Sequence, residues 1–308
     1  MAAPHVPPIT IPDEFTVWAA TDLHGQLRAV DRLLAEAGLA VDGTWTAPPA
    51  TALVVTGDMV DRGPDSLGLV RRLAGLRTQA AAAGGIVALL EGNHEVQVLG
   101  GLAGVPDLFR ALLAFGGPAT FASVGMSPDE WAGRDAASIA ARVDALAPDL
   151  RPTLWSFAPY ARWRDVVLVH GGPVPDQALD AWGRSADRLW IRDAFFASPS
   201  PFPAADAWMP YRDEGIGRVV FGHTPVDRPT TFHDGAALNL DTWRGQLVSL
   251  ARLAKDGDLG ASTFLAAPAE PRSIADAPVT IDDIRRFDRG LPAIVDAWIA
   301  SAEGVPRA

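Results

Sequence analysis

The chain is 308 residues long, carries 26 Lys and Arg against 37 Asp and Glu for a formal charge of −11, and contains no cysteine. A hydrophobic fraction of 48% with 20% charged residues can build a large core, while the missing thiols exclude disulfides, thiolate metal sites, iron–sulfur clusters and cysteine nucleophiles. The acidic balance argues against nucleic acid as a partner, since backbone binding needs a surplus of Lys and Arg on one face.

Residues 1–12 read as a flexible tail without the basic and apolar regions of a secretory leader. The longest apolar run, residues 80–90, falls short of the roughly 20 residues that a bilayer span needs. The expectation is a cytoplasmic protein with no membrane partner. Short apolar runs at residues 15–20, 53–56, 86–90, 166–169 and 219–221 read as buried strands, each followed by a loop containing Gly, Asp or His. After the first, residues 26–37 put Leu27, Val30, Leu33, Leu34 and Ala37 on one helical face, and Gly38 stops the helix. After the second, Pro64 opens a helix carrying Leu67, Val70, Leu73 and Leu76. Residues 96–164 read as a helical cap insertion, in which Ser127-Pro128-Asp129-Glu130 is a capping box ahead of an Ala-rich helix to about Leu146. The Pro-rich residues 198–210, with Trp208 and Met209, read as a loop. Residues 13–265 thus form one α/β layered domain. A C-terminal helical extension, 266–308, starts at the capping box Thr280-Ile281-Asp282-Asp283 and is interrupted at Gly290-Leu291-Pro292.

Four of the six histidines follow a strand end, the place where an open α/β sheet gathers ligands. Asp22-Leu23-His24 sets a carboxylate and an imidazole two apart, able to chelate one cation; as an isolated match it reads more readily as a helix cap beside a surface histidine. In Gly57-Asp58-Met59-Val60-Asp61-Arg62-Gly63, two carboxylates and a guanidinium follow a tight glycine turn. Gly92-Asn93-His94-Glu95 offers a neutral amide oxygen beside a histidine that cannot share its direction, which suggests separate tasks. His170-Gly171-Gly172 and Gly222-His223-Thr224 each present one imidazole beside glycine, where a ligand has room.

Together and in this order, these five blocks resemble the signature of the phosphoprotein phosphatase family of metallophosphoesterases, in its bacterial form, over roughly residues 15–250. The resemblance implies an α/β/β/α sandwich and two divalent metal ions. Manganese is favoured, and iron, zinc or cobalt would also suit these ligands. It further implies that Asp22 and His24 hold one ion, that Asp58 bridges both, and that Asn93, His170 and His223 complete the second. A water or hydroxide shared by the ions would attack phosphorus directly. His94 would protonate the leaving oxygen, with Asp61 orienting its ring and favouring the imidazolium. Arg62 would grip the phosphoryl oxygens, and Arg192, in Leu189-Trp190-Ile191-Arg192, would be the second clamp.

Glu95 reads as a loop brace. Phe115-Gly116-Gly117, Ser123-Val124-Gly125 and Asn239-Leu240-Asp241-Thr242 read as structural pieces. The implied activity is that of a serine/threonine protein phosphatase acting on phosphoproteins or small phosphoesters. Hydrolysis of dinucleoside polyphosphates, or a broad phosphodiesterase activity, is the alternative on the same scaffold. Asp61 and Glu95 favour the former, because the diadenosine tetraphosphatases that share the scaffold typically lack an acid at the first position and tend to carry Asp at the second.

Overall fold

Side-chain alternation decides the layering. In strand β2 (Thr16–Ala20), Val17 and Ala19 face one way and Trp18 and Ala20 the other; in β5 (Thr51–Val55), Ala52 and Val54 alternate with Leu53 and Val55. The first set packs between two sheets, and the second packs under helices. The computed structural model describes residues 6–174, 179–182, 185–192, 215–232, 235–271 and 281–303.

One sheet has the order β13-β12-β2-β5-β6, built from β6 (Ile86–Leu89), β12 (Leu247–Arg252) and β13 (Thr263–Pro268) around β2 and β5. The β2, β5 and β6 strands run parallel; β12 is antiparallel to both β2 and β13. The second sheet has the order β1-β7-β8-β9-β11-β10. Its strands are β1 (Ile9–Ile11), β7 (Ala161–Trp163), β8 (Val166–Leu168), β9 (Arg218–Phe221), β10 (Thr230–Phe232) and β11 (Ala237–Asn239). A small hairpin pairs β3 (Ala40–Val41) with β4 (Thr44–Trp45). Val166, Leu168, Val220 and Leu238 meet Val17, Val54 and Ala88 between the sheets. This is the α/β sandwich that the resemblance implies.

All five expected strands form, as do the helices Leu27–Glu36 and Ser66–Ala82. The latter is capped by Asp65, whose carboxylate accepts from Gly68 N at 2.8 Å. Four expectations need correction. Part of the expected flexible tail is a strand: Ile9, Thr10 and Ile11 pair in parallel with Ala161, Arg162 and Trp163, and Ile11 is buried between the sheets. The cap is helical only from Asn93–Leu102 to Leu150–Leu154, after which the chain returns to the sheet as β7. The Ser127 box forms, but it caps the one-turn helix Pro128–Trp131; Asp135 caps the Ala-rich helix Ala136–Leu146.

Finally, the C-terminal helix Ile281–Glu303 runs through Pro292 without interruption. Its missing amide is outweighed by packing, since Leu291 and Val295 are buried against Val96, Leu108 and Trp190, and Asp296 accepts from Ala186 N at 2.8 Å. The extension therefore packs on the cap, and β13 crosses the expected boundary at residue 265. Residues 198–210 and Thr280 lie outside the described residues. Among those described, no helix is long and apolar enough to cross a membrane.

Candidate metal centre

The loops after β2, β5, β6, β8 and β9 bring Asp22, His24, Asp58, Asp61, Asn93, His94, His170 and His223 to one end of the sandwich, all buried. The backbone there is unusual. Asp22, His24, Asp58, Asp61, Arg62 and His223 all have positive φ, between 38° and 70°. Such conformations cost a non-glycine residue about 1–2 kcal/mol and persist only where the surroundings enforce them. Space is equally tight, because a Cβ on Gly57 would lie 2.6 Å from Gly92 Cα and one on Gly222 would lie 2.1 Å from Asp22 Oδ2.

Hydrogen bonds fix the imidazoles. His170 Nδ1 donates to Thr56 O at 2.9 Å, and burial pushes its pKa down to about 4, so Nε2 carries a bare lone pair. That lone pair lies 2.9 Å from Asn93 Oδ1 and 3.3 Å from Asp58 Oδ1. An imidazole lone pair, an amide oxygen and a carboxyl oxygen thus converge on one point. Among the described residues, His223 Nε2 is buried without a hydrogen-bond partner, and His223, His170 and Asp58 can together hold a cation. A second grouping of His24, Asp58 and His94 can do the same.

His24 Nδ1 donates to Val60 O at 2.8 Å, leaving its Nε2 as an acceptor 3.8 Å from Asp58 Oδ2. Asp22 Oδ2 accepts from Thr21 Oγ1 at 2.6 Å and from His223 N at 3.0 Å, so this carboxylate links the first and last loops. Burial, with Asp22 and Glu95 nearby, pushes the Asp58 carboxyl well above its usual range. Buried nitrogen and oxygen acceptors of this kind suit borderline divalent cations, so the residues fit the metals expected from the sequence.

His94 stands apart from the Asn93 grouping. Its Nδ1 meets Asp61 Oδ2 at 2.8 Å, and its Nε2 accepts from Arg62 Nη2 at 2.9 Å. Arg62 Nη1 donates to His24 Nε2 at 2.7 Å, so the guanidinium spans both rings. The expected Asp61–His94 pairing is present, but the forces on it are mixed. Burial and then Arg62 push His94 well below its usual pKa, and burial pushes Asp61 up to about 8. Neutral His94 is thus favoured in this arrangement over the expected imidazolium. Arg192 lies against the His223 loop, with Nη1 donating to His223 O at 2.5 Å.

Glu95 is the expected brace. Its carboxylate accepts from the amides of Asp58, Met59 and Gly92 at 2.7–2.8 Å and from Val60 at 3.3 Å. Sequence reasoning missed Thr120, whose hydroxyl contacts Asp61, and Arg188, which pairs with Glu91 while its carbonyl accepts from Gly171 N at 2.9 Å. Gly116, read as structural, accepts from Arg62 N at 3.1 Å; a Cβ there would lie 2.7 Å from Arg62 Cγ. Asn239 ties Thr224 O to Asp241 N.

The calcineurin-like phosphoesterase profile matches residues 15–239. Serine/threonine-protein phosphatase 1 of Salmonella typhimurium is 27% identical over 240 residues, covering 77% of this chain and 91% of that protein. A Schizosaccharomyces pombe protein is 45% identical over 82 residues, 26% of this chain; the match spans only 24% of that relative's length. The cold-active protein-tyrosine phosphatase of a psychrophilic Shewanella species shares the fold, with a TM-score of 0.57 at 21% identity, covering 85% of this chain and 82% of that one. The match spans the strands and loops that carry every converging residue, and on it the chain belongs to the calcineurin-like phosphoesterase family and is a hydrolytic phosphoesterase.

Proposed function

We propose that the chain is a metal-dependent phosphomonoesterase acting on cytoplasmic phosphoproteins at phosphoserine and phosphothreonine. The observation that carries this reading is the convergence of Asp58, Asn93 and His170 side chains on one point, beside a separate Asp61–His94 pair. The first holds cations and the second handles a proton. Asp22, His24 and Asp58 would hold one divalent ion, and Asp58, Asn93, His170 and His223 a second, with manganese favoured. When bound, such ions act as Lewis acids on the phosphoryl group and lower the pKa of water toward about 7.

The chain's own residues do the rest. Asp61 accepts from His94 Nδ1 and fixes the ring, so that in its imidazolium form His94 would carry on Nε2 the proton passed to the departing oxygen, with the Asp61 carboxylate offsetting the ring's charge. Arg62, beside His24 and His94, and Arg192, beside His223, bind phosphoryl oxygens and offset the charge gained in displacement. Glu95 keeps the Asp58 and Gly92 loops in register, so that ligand and proton donor keep their spacing.

The relative from Salmonella typhimurium carries a serine/threonine phosphatase name, and the fold neighbour from Shewanella carries a tyrosine phosphatase name. The test is therefore side-by-side turnover, with added Mn²⁺, of a phosphothreonine peptide, a phosphotyrosine peptide, diadenosine tetraphosphate and a bis-aryl phosphodiester. Fastest turnover of the phosphothreonine peptide is expected. Turnover of diadenosine tetraphosphate or the diester alone would overturn the proposal.

A further inference from the structure

Beside the metal centre lies a cleft of about 380 Å³, lined by Trp243, Arg244, Gln246, Ala269, Glu270 and Pro271. None of the proposed metal ligands or phosphate clamps lines it. It is nevertheless built against the ligand loop at two points. Trp243 Nε1 donates to Asp22 O at 2.5 Å, and its indole stands edge-on to His24 at a centroid distance of 5.3 Å and an angle of 68°. Gln26, two residues past His24, exchanges two hydrogen bonds with the Glu270 backbone, at 3.1 Å to its carbonyl and 2.7 Å from its amide. The indole is thus a partition with the metal centre on one side and the cleft on the other. A chain leading away from a phosphoryl group at the centre would have this space, large enough for one or two side chains, on the far side of Trp243.

The charges in the cleft do not cancel. Glu270 lies 3.6 Å from Arg28 on its outer side, which offsets its carboxylate. Arg244 is exposed on the turn after Trp243, and its side chain has no ion-pair or hydrogen-bond partner among the described residues. One uncompensated guanidinium remains at the lip, in a protein whose formal charge is −11.

We propose that this cleft is the subsite for the peptide flanking the phosphorylated residue, and that Arg244 selects an acidic side chain there. The inference rests on the phosphoprotein reading above and adds a sequence preference to it. Trp243 supplies a rigid apolar wall for the peptide backbone and the stem of the side chain. Arg244 supplies the charge that distinguishes a glutamate from a lysine. The preference is an exposed electrostatic one, so it is modest and salt-dependent.

The test measures kcat/KM for two phosphothreonine peptides that differ only in carrying glutamates or lysines around the phosphorylated residue. Wild type is expected to favour the glutamate peptide by about fivefold at low salt, the worth of one exposed ion pair. Arg244→Gln should bring the ratio near one, and Arg244→Glu should invert it. A wild-type ratio near one, or a ratio unchanged in both variants, overturns the subsite. Turnover of nitrophenyl phosphate with neither peptide accepted overturns the phosphoprotein reading, and the subsite with it. If Arg244 matters only for diadenosine tetraphosphate, the cleft takes a nucleotide and the peptide assignment is wrong.

Discussion

The Thr120 hydroxyl holds Asp61 at two points, donating to Oδ1 at 2.6 Å and accepting from Asp61 N at 2.9 Å. Asp61 is fully buried, and its other oxygen faces His94 at 2.8 Å. Thr120 therefore sets the direction of the carboxylate that sets the direction of the imidazole. Replacing Thr120 by valine keeps the shape and removes both contacts. Stability should fall by about 1–3 kcal/mol in a denaturant titration. Turnover should fall by about tenfold, as for loss of a supporting hydrogen bond behind a catalytic group. Thr120→Ser should retain most of both.

The same carboxylate gives the metal-free protein a pH signature. Burial raises Asp61 to about 8 from 3.8, so between these values the folded state binds more protons than the unfolded state. Stability contributed by this group is therefore greatest at low pH and declines as pH rises from about 4 to 8. In chelator-treated protein, Asp61→Asn should flatten the dependence of the denaturation midpoint on pH across that window. An unchanged slope would show that the carboxyl ionises freely in the fold.

His94→Ala should leave the bound metal count intact if His94 is not a ligand, because Asp22, His24 and Asp58 remain for one ion and Asp58, Asn93, His170 and His223 for the other; loss of one ion would place His94 in the His24–Asp58 grouping instead. Turnover should drop by about 10²–10⁴-fold on a phosphothreonine peptide, whose leaving alkoxide needs a proton, and by much less on nitrophenyl phosphate. Equal losses on both substrates would remove His94 from the proton-donor role.

Asp58 is common to both cation groupings. Asp58→Asn should lower the metal content toward one ion or fewer per chain by elemental analysis. It should also cut the rise in thermal midpoint expected of the wild type on adding Mn²⁺. Two ions per chain in the variant would disprove the shared position.

Glu95→Gln tests the brace independently of metal. Four backbone amides point at this carboxylate, and an amide side chain offers them one oxygen and an NH₂ that opposes the rest. A loss of about 2–4 kcal/mol in metal-free stability is expected, since charge-assisted bonds of about 1.5–3 kcal/mol are broken.

The sequence made the inner architecture legible where a signal was local. Short β-branched runs ending in Gly, Asp or His marked the five central strands, and the same loop residues marked the site. What escaped depends on distant pairing. Ile9–Ile11 is too short to be read as a strand until Ala161–Trp163 lies beside it. Thr120 is an unremarkable helix residue until the cap folds onto the Asp61 loop, 59 positions away in sequence. Pro292 reads as a break by local chemistry, and only the burial of Leu291 and Val295 against the cap explains why the helix continues. Arg62, which the resemblance sets at the phosphoryl oxygens, bridges His24 and His94, a contact between residues 24, 62 and 94 that no local pattern discloses.

The left-handed backbone at Asp22, His24, Asp58, Asp61, Arg62 and His223 carries a practical consequence for anyone who would stabilise this protein. The rigid sandwich holds these six residues against their own preference, so the site draws on the stability of the sheets. Glycine at Asp61 or Arg62 would relax the loop while deleting the chemistry, and a screen that selects for heat resistance alone would accumulate such changes. Durable gains should instead be sought at positions such as Val41 and Phe264, whose side chains are exposed and which are not among the strained residues.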